Sequence, residues 1–411
     1  MLKREGAVIR IPDDVSIKIT VLAGSLTKIS NKPVEIFNES RVEFLAQLSR
    51  CLLAHQLGKT LPDVVTFAYW CRRANLMRLR AIYPYDHGLR MGLGLTFHIC
   101  PANVPVNFAF SMVFGLLSGN TCVLRLPSKA SATADVLVQT IKMLLNDPRH
   151  QALREVLALV QYERDDDISK FWMSEADGRI VWGGDSTVTH MRAFPCKPRS
   201  REVAFSDRYS FCVLNPVSIL EMDERVFKQF CKDLFNDIYL MDQAACSSPQ
   251  LIAWIGNELD SHQAQARLWP EIVQIVEQKH ALQAVQVMDK FVQACRSALT
   301  GSHVQVIERH ENLLYRVELA GLDPHQDTYR GYFGTLHEVV LPNLNDLAPI
   351  VNERYQTLTV QGIDNVFIKE WIVRHQLRGI DRVVPVGRAL DMNIVWDGYD
   401  MVGSLSRLIE V

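Results

Sequence analysis

Two segments of the chain carry residue types that could act together on a carbonyl group. Cys246 lies in Asp242–Gln250 (DQAACSSPQ), after small residues and before two serines. A polar turn between a helix and a strand can expose a thiol and stabilise its anion through backbone N–H groups. Asn103 lies between two prolines in Pro101–Pro105 (PANVP), where its amide can be a fixed donor. The pair predicts acyl or aldehyde chemistry on the thiol, with the Asn103 amide and the Cys246 N–H forming an oxyanion site.

Both residues also have ordinary structural interpretations. A free cysteine is commonly a small buried hydrophobic residue, and the local context of Cys246 leaves both interpretations open. The segment around Asn103 could be a simple turn, because Asn and Pro are usual turn residues. However, Asn103 follows a predicted strand and precedes an apolar helix, at the edge where open α/β sheets place their ligands. This position favours a functional role for Asn103.

The first candidate for phosphate binding is irregular, because the chain contains no G-x-G-x-x-G motif. Gly183 and Gly184 follow a predicted strand and open a predicted helix, so their N–H groups could face a pyrophosphate. Asp185 is unusual there, since a carboxylate repels phosphate, and it could instead cap the helix. The sequence alone leaves this segment open as a cofactor-binding candidate.

A second candidate for cofactor binding follows another predicted strand. Arg125, Ser128 and Lys129 supply two cations and a hydroxyl group within five positions of the chain. Such a group could hold the ribose 2′-phosphate of NADPH and so favour NADPH over NADH. The alternative interpretation is a solvated loop.

The histidines give no support to a Cys–His catalytic pair. His98 lies on the predicted strand before Asn103, and His190 lies on the predicted helix after Gly184. Neither forms a recognisable pattern with Cys246, which argues against a cysteine protease or hydrolase. His98 is interpreted as a hydrogen-bonded core residue.

Short apolar strands alternate with helices from about residue 90. The pattern predicts strands over 94–100, 121–126, 156–162, 179–182 and 209–214, with helices over 106–117, 130–145, 167–176 and 186–193. Continuous apolar strands of this kind predict a parallel sheet covered by helices on both faces. Helical stretches are predicted before residue 85, over 42–57 and 61–79. Residues 1–215 are therefore predicted to form an N-terminal region and a Rossmann-like dinucleotide-binding domain.

The remaining sequence predicts a second α/β domain that contains Cys246. Helices are predicted over 224–240 and most of 264–299, and strands over 251–255, 303–307, 313–317, 338–341 and 357–360. Residues 216–388 are therefore predicted to be the catalytic domain. Residues 389–411 are expected to form a C-terminal segment that returns to the first domain or contacts another copy.

Composition excludes several classes of protein. Hydrophobic residues make up 48% and charged residues 22% of the 411 residues, which is ordinary for a globular enzyme. A net charge of −2 argues against nucleic acid as the main partner. The nine cysteines include no C-x-x-C pair, which argues against a zinc site or disulfide framework and favours a reducing cytoplasm. The longest apolar stretch, Val104–Leu117, is too short for a membrane span, and no secretion signal is recognised.

The order of the motifs resembles the aldehyde dehydrogenase superfamily. A strand with PANVP is followed by GNTCVLRLPSK, by a strand ending in WGGDS, and by the cysteine turn. More narrowly, FHICPANVPVNFAF, FSDRYSF, DQAACSSPQ and the ending WDGYDMVGSLSR resemble the acyl-CoA reductase family. This family includes the long-chain fatty acyl reductase component of the bacterial bioluminescence fatty acid reductase complex. The resemblance runs from about residue 90 to the C-terminus.

The resemblance implies a fold, a cofactor and an activity. The fold is that of an aldehyde dehydrogenase, and the activity is NADPH-dependent reduction of long-chain acyl thioesters to aldehydes through a cysteine acyl-enzyme. Cys246 matches the family nucleophile, and Asn103 matches the superfamily's oxyanion amide. Arg125 and Ser128 match a cofactor-contacting segment with one inserted residue, and Gly184 and Asp185 fall near a phosphate-contacting pair.

Two departures from the superfamily pattern bear on the reaction. Phe205 stands where hydrolytic aldehyde dehydrogenases carry a glutamate base, and thioester reduction needs no such base because it uses no activated water. Gly331 stands where a glutamate holds the nicotinamide ribose, which leaves the nicotinamide position undefined. A hydrolytic NAD(P) aldehyde dehydrogenase using another carboxylate, and a non-redox acyl-transfer subunit, are the alternatives.

The expected partners follow from the same resemblance. The substrate is an acyl-CoA or an acyl-protein thioester, and an acyl-transferase or synthetase is the expected protein partner. A homo-oligomer is expected by analogy with the superfamily. The pathway could be luminescence, or lipid or surface-polymer synthesis.

Overall fold

The chain forms two compact units in the computed structural model, which describes residues 8–83 and 89–410. The first unit contains Met1–Ser206 together with Tyr399–Val411, and the second contains Asp207–Gly398. Each unit is built on its own twisted sheet, and each is described by itself below.

The described residues of the first unit up to Ser206 form nine strands and eight α-helices. The strands are β1 (Val8–Ile9), β2 (Thr20–Gly24), β3 (Ile29–Ser30), β4 (Leu89–Gly92), β5 (Leu95–Ile99), β6 (Thr121–Arg125), β7 (Leu157–Gln161), β8 (Gly178–Trp182) and β9 (Arg201–Phe205). The helices are α1 (Asp13–Ser16), α2 (Glu39–Ala54), α3 (Pro62–Trp70), α4 (Arg73–Ile82), α5 (Asn107–Leu117), α6 (Ala132–Asn146), α7 (Asp166–Glu175) and α8 (Asp185–Arg192). Short 3-10 helices cover Gly58–Thr60 and Pro148–Glu155.

Six of these strands form one sheet in the order β2-β7-β6-β5-β8-β9. All neighbours are parallel except β2, which pairs antiparallel with β7 at the edge. The chain runs from β5 outward to β6 and β7, and then returns to β8 on the other side of β5. Such a reversal creates a crevice at the carboxyl ends of the central strands, where open α/β sheets bind their ligands. The loops after β5, β6 and β8 carry the cofactor and amide candidates.

Both faces of this sheet are covered, as the continuous apolar strands predict. Phe97 of β5 stacks on Trp172 of α7, with ring centroids 5.9 Å apart, on one face. His98 points to the other face, where its Nδ1 lies 2.7 Å from Ser111 Oγ of α5. Helix α5 is buried on nearly every side, so its apolar sequence reflects a core position. No helix among the described residues is long and apolar enough to span a bilayer.

The strands of the second unit are β10 (Tyr209–Leu214), β11 (Leu251–Ile255), β12 (Val304–His310), β13 (Leu314–Leu319), β14 (Thr335–Leu341), β15 (Tyr355–Gln361), β16 (Arg382–Pro385) and β17 (Val395–Trp396). All except β17 form a seven-stranded sheet in the order β12-β13-β14-β11-β10-β15-β16, which is parallel except at the β12 edge. Its helices are α9 (Pro216–Leu220), α10 (Glu224–Tyr239), α11 (Glu258–Lys279), α12 (Ala284–Thr300) and α13 (Asn365–Arg374), with 3-10 helices over Gln326–Thr328 and Leu344–Ile350.

The end of the chain belongs to the first unit. It forms β18 (Tyr399–Asp400), α14 (Met401–Ser404) and β19 (Ser406–Ile409). Strand β19 pairs antiparallel with β4, and the Asn120 side chain donates to the Leu405 carbonyl at 2.8 Å. These contacts return the last residues to the first unit, one of the two arrangements expected for the C-terminal segment.

The unit boundaries differ from those that the sequence predicts. The sequence places the strand over 209–214 in the first sheet, but β10 pairs with β11 and β15 in the second. The edge position in the first sheet is taken by β9, which the sequence analysis does not predict. A short apolar run indicates a strand but not its sheet, because partners far along the chain decide the pairing. The first unit therefore ends at Ser206 rather than 215, and the second runs to Gly398 rather than 388.

Candidate functional site

Cys246 lies in a turn that joins α10 to β11. The chain reverses at Asp242 and Gln243, whose φ angles of 52° and 61° are in the left-handed region. Asp tolerates this region better than most residues. Here Asp242 and Gln243 adopt it in succession, which directs the chain toward β11. The Cys246 side chain is exposed, as a nucleophile must be. The turn lies at the amino ends of the parallel strands of the second sheet.

The buried side chain of Gln243 fixes the turn to the start of β14. Its Nε2 donates to the carbonyls of Pro249 and Thr335, both at 3.0 Å. Its Oε1 accepts from the N–H groups of Gly334 at 3.1 Å and Thr335 at 3.2 Å. All the hydrogen-bonding capacity of the amide is used, so this side chain joins three backbone segments.

Ser210 fixes the peptide group that follows Cys246. Ser210 Oγ donates to the Cys246 carbonyl at 2.6 Å and accepts from the Thr357 N–H at 3.1 Å. The Gln250 N–H donates to the Ser210 carbonyl at 2.9 Å. The backbone at the cysteine is therefore tied to β10 and β15.

The surroundings of the thiol oppose its ionisation. Desolvation by the surrounding protein raises the pKa of Cys246 above its ordinary value, and the charges of Asp397 and Asp207 raise it further. The cations Arg330 and Arg208 act in the opposite direction. The sequence predicts a turn that stabilises the thiolate, whereas the structure favours the neutral thiol at neutral pH.

Arg208 is held by several acceptors beside the cysteine turn. Its Nη1 donates to the Glu353 carbonyl at 2.7 Å, and its Nε lies 2.9 Å from Asp397 Oδ1. Its Nη2 donates to a carboxylate oxygen of Asp381. Gln356 Nε2 also donates to Asp397 Oδ1 at 2.7 Å.

The sequence patterns assign no role to Arg208, Asp207, Arg330 or Asp397. A signal was available for three of them, because FSDRYSF contains Asp207 and Arg208 and WDGYDMVGSLSR contains Asp397. Arg330 lies outside these segments. Asp397 also lies in the predicted C-terminal segment, yet it belongs to the second unit with the cysteine. The position of Asp397 in the chain does not predict which residues it contacts.

The two departures from the superfamily pattern have structural causes. The Phe205 ring stacks on Trp182, with centroids 3.7 Å apart, at the ends of β9 and β8. An apolar ring pair therefore occupies the place where the resemblance would put a carboxylate base. At Gly331, a Cβ atom would lie 1.9 Å from the Thr335 carbonyl oxygen, so the backbone excludes every side chain. The Gly331 N–H donates instead to Gln250 Oε1 at 2.8 Å.

Asn103 is exposed in the loop between β5 and α5 and lines a cavity of about 190 Å³ within the first unit. The loops after β5 and β6 form this cavity together with the starts of α5 and α6. Its lining residues are Ala102, Asn103, Pro105, Phe108, Leu126, Pro127, Lys129, Ala130, Ser131 and Ala134. The structure thus brings Asn103 and Lys129 together, and Leu126, which is inserted relative to the superfamily segment, contributes to the wall.

The other two residues of the β6 loop lie outside the cavity lining. Ser128 is exposed at the loop surface. The Arg125 guanidinium lies over the Tyr162 ring, 4.7 Å from its centroid, and Nη2 donates to the Tyr162 carbonyl at 3.3 Å. Arg125 is therefore engaged by the loop after β7.

Gly183 and Gly184 form the turn that opens α8. Gly184 is the residue at the N-cap, and its carbonyl accepts from the N–H groups of Thr187 and Val188. A Cβ atom at Gly183 would lie 2.9 Å from Thr187 Cβ, so the tight turn favours glycine there. Asp185 is the first residue of the helix rather than its cap. A carboxylate in the first turn interacts favourably with the helix dipole.

His98 and His190 both have structural partners. His98 Nε2 lies 2.9 Å from Thr96 Oγ1, and burial lowers the pKa of His98 to about 3, so it is a neutral core residue. His190 Nε2 lies 3.0 Å from Asp166 Oδ1 at the surface. These contacts agree with the interpretation of His98 made from the sequence.

Comparison with known sequences gives one family. The family model described as acyl-CoA reductase (LuxC) matches residues 72–410. Long-chain acyl-protein thioester reductases from Photorhabdus laumondii and Vibrio harveyi are each 24% identical, over 330 and 326 residues. Each alignment covers 77% of this chain and 62% or 63% of the relative. The chain thus spans less than two thirds of the length of these relatives.

Comparison with solved structures gives the fold. Lactaldehyde dehydrogenase from Escherichia coli has a TM-score of 0.63 at 13% identity, covering 100% of this chain and 96% of that one. An NAD-dependent benzaldehyde dehydrogenase from Corynebacterium glutamicum has a TM-score of 0.60 at 12% identity, covering 90% and 83%. The predicted aldehyde-dehydrogenase-like α/β fold is confirmed.

Proposed function

Because the chain belongs to the acyl-CoA reductase (LuxC) family, we propose that it reduces a fatty acyl thioester to the aldehyde through an acyl-enzyme on Cys246. The observation that carries the proposal is the exposed residue Cys246 on a backbone held by Gln243 and Ser210. A fixed turn presents the nucleophile in one orientation, which lowers the entropic part of the barrier. The names of the relatives support a long-chain acyl thioester as the substrate.

In the first step, Cys246 Sγ forms a bond to the thioester carbonyl carbon as its proton leaves. The Asn103 amide and the Cys246 N–H donate to the carbonyl oxygen while it carries negative charge. Collapse of this tetrahedral adduct breaks the bond to the carrier thiolate, which takes up a proton. The exchange begins with a protonated Cys246 thiol and ends with a protonated carrier thiol. It is therefore compatible with the raised pKa of Cys246.

The carboxyl edge of the first sheet fits a nicotinamide dinucleotide. The N–H groups of Gly183 and Gly184 can meet a pyrophosphate at the start of α8, and Lys129 at the cavity supplies a cation. Arg125 and Ser128 would add contacts to a ribose 2′-phosphate, which favours NADPH. The bound reduced nicotinamide would supply hydride to the acyl-enzyme carbonyl. The resulting hemithioacetal then releases aldehyde as Cys246 leaves and regains its proton.

The aromatic pair at Phe205 supports reduction over hydrolysis. No carboxylate stands at that position to activate water, so an acyl-enzyme can persist until it is reduced. Oxidation of an aldehyde to the acid is a second candidate, because the carboxylates of Asp207 and Asp397 act on the thiol and could serve as a base. Production of free acid from aldehyde and oxidised cofactor, without an acceptor thiol, would favour this second candidate.

Steady-state assays test the proposal directly. Wild type should oxidise NADPH in the presence of acyl-CoAs of graded chain length, release stoichiometric aldehyde, and use NADH less well. Cys246→Ala should be inactive, whereas Cys196→Ala, which removes another exposed thiol, should match wild type. Activity retained by Cys246→Ala would contradict the proposal, as would failure of any acyl thioester to support cofactor oxidation.

The carrier and the partners are part of the same proposal. The relatives are named acyl-protein thioester reductases, so an acylated protein is a candidate carrier beside CoA. The enzyme that charges that carrier, an acyl-transferase or synthetase, would then be the expected partner. Comparing acyl-CoA with the acylated form of such a protein, at equal acyl chain length, distinguishes the two carriers.

A further inference from the structure

The Asp242 side chain is held by two residues from separate helices. His280 follows the end of α11, and its Nε2 lies 2.8 Å from Asp242 Oδ1. A carboxylate oxygen only accepts, so His280 Nε2 carries the proton in this contact. Gln286, in the first turn of α12, donates from its Nε2 to Asp242 Oδ2 at 3.3 Å. Because 43% of the Asp242 side chain is exposed, such contacts add little to stability, and their main effect is on the position of the carboxylate.

The two donors are themselves fixed in orientation. The His280 side chain is only 13% exposed, and its ring lies against that of Tyr239, with centroids 5.3 Å apart. Gln286 Oε1 accepts from the Gln283 N–H at 2.8 Å in the capping box of α12. This contact leaves the Nε2 end of the Gln286 amide to meet Asp242. The donors are therefore preorganised, and the carboxylate is placed by them.

Asp242 occupies the point where the backbone reverses before Cys246. It is the first of two consecutive residues with a positive φ angle, and non-glycine residues keep such angles only where the surrounding structure holds them. The next residue, Gln243, is held by its own buried amide. At Asp242 the carbonyl accepts from the Phe333 N–H at 3.2 Å, and the carboxylate accepts from the two donors. The carboxylate contacts thus help to fix the conformation from which the chain enters the cysteine turn.

We propose that His280 and Gln286 are positioning residues for Cys246, which act by holding the Asp242 carboxylate and with it the backbone of the cysteine turn. The inference rests on the proposed acyl-enzyme on Cys246. A nucleophile reacts well only within a narrow range of positions, and misplacement by about 1 Å can cost on the order of 100-fold in rate. In this role the histidine touches neither the substrate nor the thiol, which is why no Cys–His pattern reveals it.

Rapid-quench measurement of acylation by acyl-CoA tests the role of His280. His280→Ala should lower the rate of acylation by about tenfold, because the turn loses one of its holds. The KM for NADPH should stay unchanged, since the turn carries the nucleophile and not the cofactor. His280→Gln should recover most of the rate, because an amide Nε2 can donate to Asp242 in place of the imidazole.

His375→Ala is the matched control for this measurement. It removes another histidine contact of the second unit, from His375 Nε2 to Asn345 Oδ1 at 2.9 Å, at the end of α13. The control should acylate at the wild-type rate. Wild-type acylation in His280→Ala, or an equal loss in the control, overturns the proposal.

A double variant shows whether His280 acts through Asp242. Asp242→Gly removes the carboxylate without straining the backbone, because glycine accepts a positive φ angle. It should slow acylation by a factor similar to that of His280→Ala. Combining the two substitutions should slow acylation no further, since residues that act through one contact are not additive. Losses that multiply in the double variant overturn the proposal.

Alkylation of Cys246 by iodoacetamide separates this inference from the proposed reaction. The surroundings of the thiol desolvate it, and a loosened turn admits water. His280→Ala should therefore alkylate faster than wild type at a pH below about 8.5, although it acylates more slowly. Mass spectrometry of the Cys246 peptide gives the rate, and circular dichroism melting shows that the variants are folded. Faster alkylation in a chain that reduces no acyl thioester supports the positioning role and contradicts only the proposed function, whereas unchanged alkylation overturns the positioning role itself.

Discussion

Cys246 and Gln243 lie three residues apart and have opposite surroundings. The cysteine is exposed, whereas the glutamine is buried and uses its whole amide to hold the turn. The resemblance to the acyl-CoA reductase family indicates the cysteine, whereas its local context leaves a structural role open. It could not indicate the role of Gln243, because the partners Gly334 and Thr335 lie more than 90 residues away. A motif shared with a family can therefore indicate a reactive group, but it does not indicate the distant contacts that position that group.

Removal of the Asn103 amide tests the oxyanion site. Asn103→Ala should lower the rate of acylation by roughly 10²–10³-fold, or about 3–4 kcal/mol of barrier, because one donor to the developing oxyanion is lost. The KM for NADPH should change little. Rapid-quench measurement of acyl-enzyme formation gives the rate. A variant within threefold of wild type would show that Asn103 has another role.

The pH dependence of Cys246 alkylation tests the electrostatics of the turn. Because desolvation and Asp397 raise the pKa of the thiol, its reaction with iodoacetamide should reach half-maximal rate above pH 8.5, the ordinary cysteine value. Asp397→Asn removes a negative charge and should lower the midpoint. Arg330→Gln removes a positive charge and should raise it. Shifts in the reverse directions would contradict the assigned environment.

At the scale of elements, the sequence predicts which segments form strands better than which sheet they join. The run over 251–255 coincides with β11, and the apolar run over 106–117 nearly coincides with α5. The run over 209–214 also forms a strand, but β11 and β15 recruit it to the second sheet. Strand β2 lies in the N-terminal region, for which the sequence predicts helical stretches and no strand, and it joins the first sheet antiparallel to β7. Long-range pairing decides these cases.

The loop that contains Gly331 should not accept the superfamily glutamate. A Cβ atom there would lie 1.9 Å from the Thr335 carbonyl oxygen, so Gly331→Glu must displace the start of β14. Since Thr335 also bonds Gln243, the displacement should reach the cysteine turn and reduce acylation. Gly331→Ala should show most of the same loss, because the clash is at Cβ. Wild-type melting temperature and acylation in both variants would contradict this account.

Lys290 should make the stability of the second unit depend on pH. Burial lowers the pKa of Lys290 to about 7, below the ordinary value of 10.5. Between these pH values the unfolded chain binds a proton that the folded state has released, so this residue's contribution to the free energy of unfolding rises with pH. The rise is at most about 5 kcal/mol.

Lys290→Met isolates this contribution from other titrating groups. Urea unfolding at pH 7 and pH 10 gives the difference in free energy of unfolding between wild type and the variant. The free energy of unfolding of wild type, relative to that of the variant, should be larger at pH 10 than at pH 7. A constant difference would mean that Lys290 keeps its proton in the folded state.

At the scale of the whole chain, the fold class and the two α/β units follow from the alternation of apolar strands and helices. The return of the last residues to the first unit could not be predicted in this way. It depends on pairing between the short strands β4 and β19, which are far apart in the sequence. The family assignment depends on segments from both units, since PANVP lies in the first and DQAACSSPQ in the second. The sequence predicts that the first unit binds the cofactor and that the second unit carries the reactive thiol. This assignment remains a proposal.

Intact-protein mass spectrometry after incubation with a long-chain acyl-CoA, without NADPH, tests the central claim most directly. Wild type should gain the mass of one acyl group, map it to the peptide that contains Cys246, and lose it as aldehyde when NADPH is added. Cys246→Ala should gain nothing, and Cys196→Ala should behave as wild type. An unmodified wild type that still turns over, or an acyl group on another residue, would contradict the covalent route.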